Sequence, residues 1–237
     1  MERSRLLVCG LTACVVVSLT SFARAACPLP GKFQAVDLAV PVDQGFITKM
    51  HELGVDTVIR YYDHKNEAVS GKTLTRKERD LISANGLNLM VVFQHQSAKL
   101  ESFTPVRGRQ DAKRAVQLAR NMAQPKGSAL YFSVDGNWGG KEEIKPIRSY
   151  FQAARTIARN SGYKIGGYAS GAVCDSLLDA GLVDFCWLAN TNTWPGYRDF
   201  NKSDRWAMKQ FPKRTCEGRE ASFSNANRRI PDYGQFE

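Results

Sequence analysis

Residues 129–135 read Ala-Leu-Tyr-Phe-Ser-Val-Asp, an apolar run of strand length that stops at an acid. A run without polar alternation fits a strand covered on both faces. Beyond it, Ile147, Tyr150, Phe151, Ala154, Ile157 and Ala158 recur at helical spacing and give one apolar stripe for packing on a sheet. Strand followed by helix is the unit to look for elsewhere.

It recurs in both directions. Strand-like runs occupy 33–40, 55–62, 87–94, 164–170, 183–190 and 206–211, with a weaker eighth candidate at 229–233. Between them, Thr75-Arg76-Lys77-Glu78 is a capping box closed by Asn85-Gly86, and Ala112, Ala115, Val116, Ala119 and Met122 mark another helix. About eight such alternations predict an α/β protein with a parallel sheet, either doubly wound or closed into a barrel. No linker or composition shift divides the chain, so one domain is expected. A composition of 43% hydrophobic and 24% charged residues excludes disorder, and aperiodic Gly and Pro exclude collagen and solenoids.

The first residues have a different purpose. Arg3 and Arg5 precede an uncharged stretch from Leu6 to Phe22, and Ala23-Arg24-Ala25 is a small-residue cleavage site. This predicts a secretory signal peptide at 1–25, a domain at 26–237, and a periplasmic or extracellular location without stable membrane insertion. An uncleaved anchor and a lipoprotein box at Leu11-Thr12-Ala13-Cys14 rank below it, because the small-residue site directly follows the apolar run. Cleavage leaves Cys27, Cys174, Cys186 and Cys216, enough for two disulfides in three connectivities. Cys174 with Cys186 is preferred, since they flank one helix-to-strand connection, and then Cys27 with Cys216. No Cys-x-x-Cys pair suggests zinc.

With 33 Lys and Arg against 23 Asp and Glu, the formal net charge is +10. No nucleic-acid motif accompanies it, and export makes anionic envelope material the nearer partner. Arg107, Arg109, Lys113, Arg114 and Arg120 read as a solvated helix face.

In either parallel architecture the chemistry sits at the carboxyl ends of the strands. These ends offer Asp37, then Arg60, Tyr61, Tyr62 and Asp63, then Gln94, Asp135, Tyr168, Trp187, Asn190, Gln210 and, in the last segment, Asp232. Carboxylates for proton transfer beside aromatic faces are what a sugar site requires. Tyr61 and Tyr62 cannot both face inward, because neighbours on a strand point to opposite sides. Asp63, His64 and His95 lie near one another but follow no metal motif, and the histidines read as surface loop residues; no metal or cofactor is expected. Gly167-Tyr168-Ala169-Ser170-Gly171 misses the nucleophile-elbow spacing by one residue.

Several pieces then occur in a familiar order: Asp37-Leu38-Ala39, Arg60-Tyr61-Tyr62, Leu74-Thr75 with Glu78, Val91-Val92-Phe93-Gln94, Tyr131-Phe132-Ser133-Val134-Asp135, Gly167-Tyr168-Ala169-Ser170, Trp187-Leu188-Ala189 and Lys209-Gln210. Together they resemble the exported bacterial glycoside-hydrolase-like TIM-barrel family, a distant relative of the family-25 lysozyme-type muramidases. The resemblance implies a single (β/α)8 TIM-like barrel and a cell-wall polysaccharide such as peptidoglycan as ligand. Carried over by position, Asp37 is the first-strand acid and Asp135 the fourth-strand acid. Gln94, Trp187 and Gln210 line the cleft, and Asp232 matches the closing-strand acid.

One departure bears on chemistry. The lysozyme-type pattern has a Glu two residues after the fourth-strand Asp, whereas this chain has Asp135-Gly136-Asn137. An amide cannot donate a proton as a neutral carboxylic acid does. The expectation is therefore that Asp135 acts as the acid, with Asp37 or Asp63 as partner. Arg60, Tyr61, Tyr62, Asp63, Gln94, Asn137, Tyr168, Trp187, Gln210 and Asp232 would hold the sugar, the tyrosines and Trp187 by stacking. Two other readings stand beside it: a non-catalytic glycan-binding protein on the same barrel, and a basic structural protein held to anionic polymers by charge.

Overall fold

A computed structural model describes residues 27, 29–64 and 70–237. The expected signal peptide lies outside them. Seven strands follow one another in parallel: β1 (Ala35–Asp37), β2 (Thr57–Tyr62), β3 (Asn88–Phe93), β4 (Ala129–Ser133), β5 (Lys164–Ala169), β6 (Phe185–Leu188) and β7 (Met208–Gln210). β8 (Arg214–Cys216) and β9 (Arg219–Ala226) form a hairpin, and β9 runs antiparallel to both β7 and β1, closing an eight-stranded barrel. Helices α1 (Gln44–Glu52), α2 (Arg76–Ala84), α3 (Pro105–Asn121), α4 (Lys141–Asn160), α5 (Gly171–Asp179) and α6 (Tyr197–Lys202) surround it. The barrel expected from the resemblance is present.

Strand periodicity sorts the side chains into two cores. Inside the barrel lie Ile59, Met90, Val92, Tyr131, Phe185, Trp187 and Met208. Between barrel and helices lie Val58, Tyr62, Val91, Phe132, Ile147, Phe151 and Phe223 among others. Each such large side chain contributes on the order of 1.5–3 kcal/mol by leaving water. Helix starts are fixed by short polar caps: Asp43, Thr75, Thr104 and Ser170 accept from the backbone N–H groups of Phe46, Glu78, Arg107 and Val173.

The eighth strand is not where the sequence suggested. Its residues, Arg-Glu-Ala-Ser-Phe-Ser-Asn-Ala, lack the β-branched run that marks a buried strand; Ala221 and Phe223 pack outward while Ser222 and Ser224 are small and polar. The 229–233 segment instead begins a plug across the opposite, amino-terminal mouth. Tyr131 Oη donates to the Tyr233 carbonyl at 2.8 Å, and the Tyr233 hydroxyl lies 2.7 Å from Thr57 Oγ1. Phe236 exchanges backbone hydrogen bonds with Leu89, and Ala129 N–H donates to the Gly234 carbonyl. Gly234 has φ +83°, and a Cβ there would lie 2.2 Å from that of Ala129.

Disulfides join Cys27 to Cys216 and Cys174 to Cys186, the preferred pairing. No helix among the described residues is long and apolar enough to cross a membrane.

Candidate active site

At the carboxyl end of the barrel the strands leave a cleft of about 400 Å³, walled by Asp37, Tyr61, Gln94, Asp135, Tyr168 and Gln210 with Trp187 beneath. A second lobe of about 340 Å³ adjoins it, sharing Asp37, Tyr61, Lys213 and Ser222 and reaching Arg219 and Glu220 on β9. The two lobes make the site a groove rather than a pit.

Hydrogen bonds tie the walls together. Gln210 Nε2 donates to Asp37 Oδ1 at 3.0 Å, and Tyr61 Oη donates to Asp37 Oδ2 at 3.2 Å. Gln210 is itself fixed, its Oε1 accepting from Tyr168 Oη at 3.0 Å. Across the cleft, Gln94 Nε2 donates to Asp135 Oδ2 at 3.4 Å, the one side-chain hydrogen bond that Asp135 receives among the described residues. Ser133 Oγ, buried in the same wall, has no hydrogen-bond partner among them.

Burial dominates the electrostatics. It pushes the Asp37 carboxyl up to about 6, although Gln210, Tyr61 and the charge of Lys213 favour the ionised form. Burial also raises Asp135, opposed by Lys213 and Lys72. Burial thus acts in the same direction on both acids of the cleft. Tyr168 is raised by burial first and then by the charges of Asp135 and Asp37, so its phenol stands within reach of both acids.

Of the residues singled out in the sequence, the cleft gathers Asp37, Tyr61, Gln94, Asp135, Tyr168, Trp187, Asn190 and Gln210. Trp187 is only 1% exposed, with its ring edge against Tyr168 and Nε1 on Ser224, so it forms the floor and offers no face for stacking. The accessible rings are Tyr61, Tyr168 and Phe211.

Five expected residues lie elsewhere. Arg60 and Tyr62 fall on the outer face of β2. The Arg60 guanidinium is wholly buried, its Nε donating to Glu78 Oε1 at 2.6 Å and its Nη1 and Nη2 to the carbonyls of Leu38 and Gly71, and Tyr62 Oη donates to Gln124 Oε1. Asp63 is sealed behind the rim against His95 Nδ1 at 2.7 Å and Lys72 Nζ at 3.4 Å. Asn137 is exposed and outside the cleft lining. Asp232 pairs with Lys164, the first residue of β5, at the far end of the barrel.

His64 and His95 lie on loops and are half-buried, each beside an acid. His64 Nε2 lies 2.8 Å from Asp111 Oδ1, and the His64 and His95 rings meet edge to face at 4.9 Å. Among the described residues no group of three or more His, Cys, Asp or Glu is arranged to hold a metal ion.

Ser133, Phe211, Lys213 and Ser222 also line the cleft and were missed. Ser133 could have been found, because it lies two positions before Asp135 on the same side of its strand. Ser222 belongs to the unrecognised closing strand, and Lys213 sits in the segment between β7 and β8.

A closed, helix-wrapped barrel with two burial-raised carboxyls in a groove at its strand ends has the construction of a glycoside-hydrolase-like domain. The chain belongs to the Rv2525c-like, glycoside hydrolase-like domain family, whose profile matches residues 48–229. Asp37 lies ahead of that span, so its place in the site rests on the fold.

The chain is 28% identical over 218 residues to YbfG of Bacillus subtilis, covering 81% of this chain and spanning 30% of the length of that relative. Its fold is similar to that of the Tat-secreted protein Rv2525c of Mycobacterium tuberculosis, with TM-score 0.72, 22% identity and coverage of 85% of this chain and 97% of that one. A muramidase from Acremonium alcalophilum superimposes with TM-score 0.50 at 11% identity, over 84% of this chain and 94% of the muramidase. At such identities the likeness concerns the fold.

Proposed function

We propose that this is an exported glycosidase that cleaves a cell-envelope polysaccharide, with peptidoglycan as the first candidate. The observation that carries the reading is the pair Asp37 and Asp135, both raised by burial and facing one groove. Two carboxyls whose surroundings hold their proton affinities apart divide into acid and base. Asp37 keeps its proton up to about pH 6. Burial raises Asp135 as well, but the charge of Lys72, which is not among the groups acting on Asp37, favours its ionised form. A neutral Asp37 donates to the glycosidic oxygen, and ionised Asp135 stabilises the cationic sugar centre or directs water to it. Tyr61, Tyr168 and Phe211 offer ring faces to the sugar.

Export is supported by the signal-peptide pattern, the two disulfides and the secretion of the mycobacterial relative. The test is release of reducing ends from purified peptidoglycan. Asp37→Asn and Asp135→Asn should each lose about 10²–10⁴-fold in rate while still co-sedimenting with the polymer. Undiminished release by both variants rejects the assignment.

A second reading, a glycan-binding protein without hydrolysis, is favoured by Asn137, an amide that lies exposed outside the cleft. It predicts co-sedimentation with no reducing ends released by the unaltered protein, and loss of binding in Tyr61→Ala or Tyr168→Ala.

A further inference from the structure

One flank of the barrel carries positive charge that no ion pair among the described residues balances. α3 and α4 pack closely there: a Cβ at Gly108 would lie 2.3 Å from the Tyr150 carbonyl oxygen. On the outer side, Arg109, Lys113 and Arg120 of α3 and Arg148 of α4 are exposed and form no ion pair or side-chain hydrogen bond among the described residues. The acid of α3, Asp111, is buried and committed to His64, Arg107 and Tyr150. α4 carries acids only in its first turn, where Glu143 caps Gly139 and Gly140. Elsewhere on the surface, cations are commonly paired, as in Arg159 with Asp184, Arg205 with Asp175 and Asp179, Lys164 with Asp232 and Arg219 with Asp43.

The four unpaired cations lie along two hollows in the helix pair. Arg109 and Arg148 share one of about 510 Å³ with Ser149, Gln152 and Thr156. Lys113 and Arg120 share another of about 270 Å³ with Gln117 and Asn121. Both hollows are lined by residues of α3 and α4. Arg109 to Arg120 spans about 16 Å of helix, a row of charge.

We propose that this trough is a second, non-catalytic site that takes a strand of carboxylated polysaccharide and keeps the protein on its polymer. Guanidinium groups meet carboxylates through two parallel hydrogen bonds, and the amides and hydroxyls between them suit the hydroxyl groups of sugar rings. A lipid surface is a poorer occupant, because Val106 is the one large apolar residue exposed on these helices among the described residues. The site does not depend on the cleft or on any reaction there.

The test is calorimetric titration of the intact protein with polygalacturonate at two salt concentrations. Binding should weaken at least tenfold between low and moderate salt, and at least tenfold again in the variant combining Arg109→Gln, Lys113→Gln, Arg120→Gln and Arg148→Gln. Lys164→Gln, which removes a cation already paired with Asp232 at the far end of the barrel, should bind as the unaltered protein does. The pairs Arg109→Gln with Arg148→Gln, and Lys113→Gln with Arg120→Gln, should each give part of the loss, which separates charge from any unfolding of the fourfold variant. Unchanged affinity in both pairs overturns the proposal, as does equal or tighter binding of poly(glycerol phosphate) or of anionic phospholipid vesicles.

Discussion

Gln210 presents its amide nitrogen to Asp37 Oδ1 at 3.0 Å, joining the first parallel strand of the barrel to the last. The bond favours a carboxylate, yet burial outweighs it and raises the group from 3.8 to about 6.

A consequence for stability follows. Because the folded state holds this proton more tightly than the unfolded chain, Asp37 costs nothing below about pH 4. Its ionisation then removes about 3 kcal/mol as pH rises through 6, with no further change above. Asp37→Asn should abolish this component. Urea unfolding at pH 4.5 and 7.5 checks it: the unaltered protein should lose more stability than the variant between the two, and an equal change in both would refute the cause.

Arg60 and Glu78 form a buried ion pair in which Glu78 also accepts from the Val42 backbone N–H at 2.9 Å. Glu78→Gln leaves a buried guanidinium without its counter-charge and should cost about 3–5 kcal/mol. A lowered midpoint in urea with an unchanged slope is the expected result. A cost under about 1 kcal/mol would mean that the carbonyls of Leu38 and Gly71 suffice for Arg60.

The two disulfides differ in the chain they enclose, 189 residues of separation for Cys27–Cys216 against 12 for Cys174–Cys186. Chain-entropy reasoning gives about 5 and 3 kcal/mol. Replacing each pair by Ala and measuring unfolding free energy should rank them in that order. The opposite ranking would assign the stabilisation to local packing.

The barrel and most of its acidic cleft could be read because buried parallel strands announce themselves as apolar runs, and their ends then select Asp37, Gln94, Asp135 and Gln210. What escaped depends on facing and closure. Arg60 and Tyr62 sit next to Tyr61 in the chain but a strand's thickness away from the site. Glu78 stands at a capping-box position, yet its carboxylate goes to Arg60 and Val42, a use no local pattern records. Ser222 and Lys213 were hidden because an antiparallel strand of small and polar residues gives no apolar run. Asp232 was misplaced by the same error, since the true closing strand ends before it.

The pairing of β9 with β1 has a kinetic meaning. Until Arg219–Ala226 has been synthesised and docked, β1 and β7 are raw rims with free backbone donors and acceptors, open to pairing with another chain. The polypeptide therefore stays open to aggregation until this strand has docked, and sealing the ring is a long-range event. Any cut that removes this one modest strand should yield insoluble material in place of a smaller folded core.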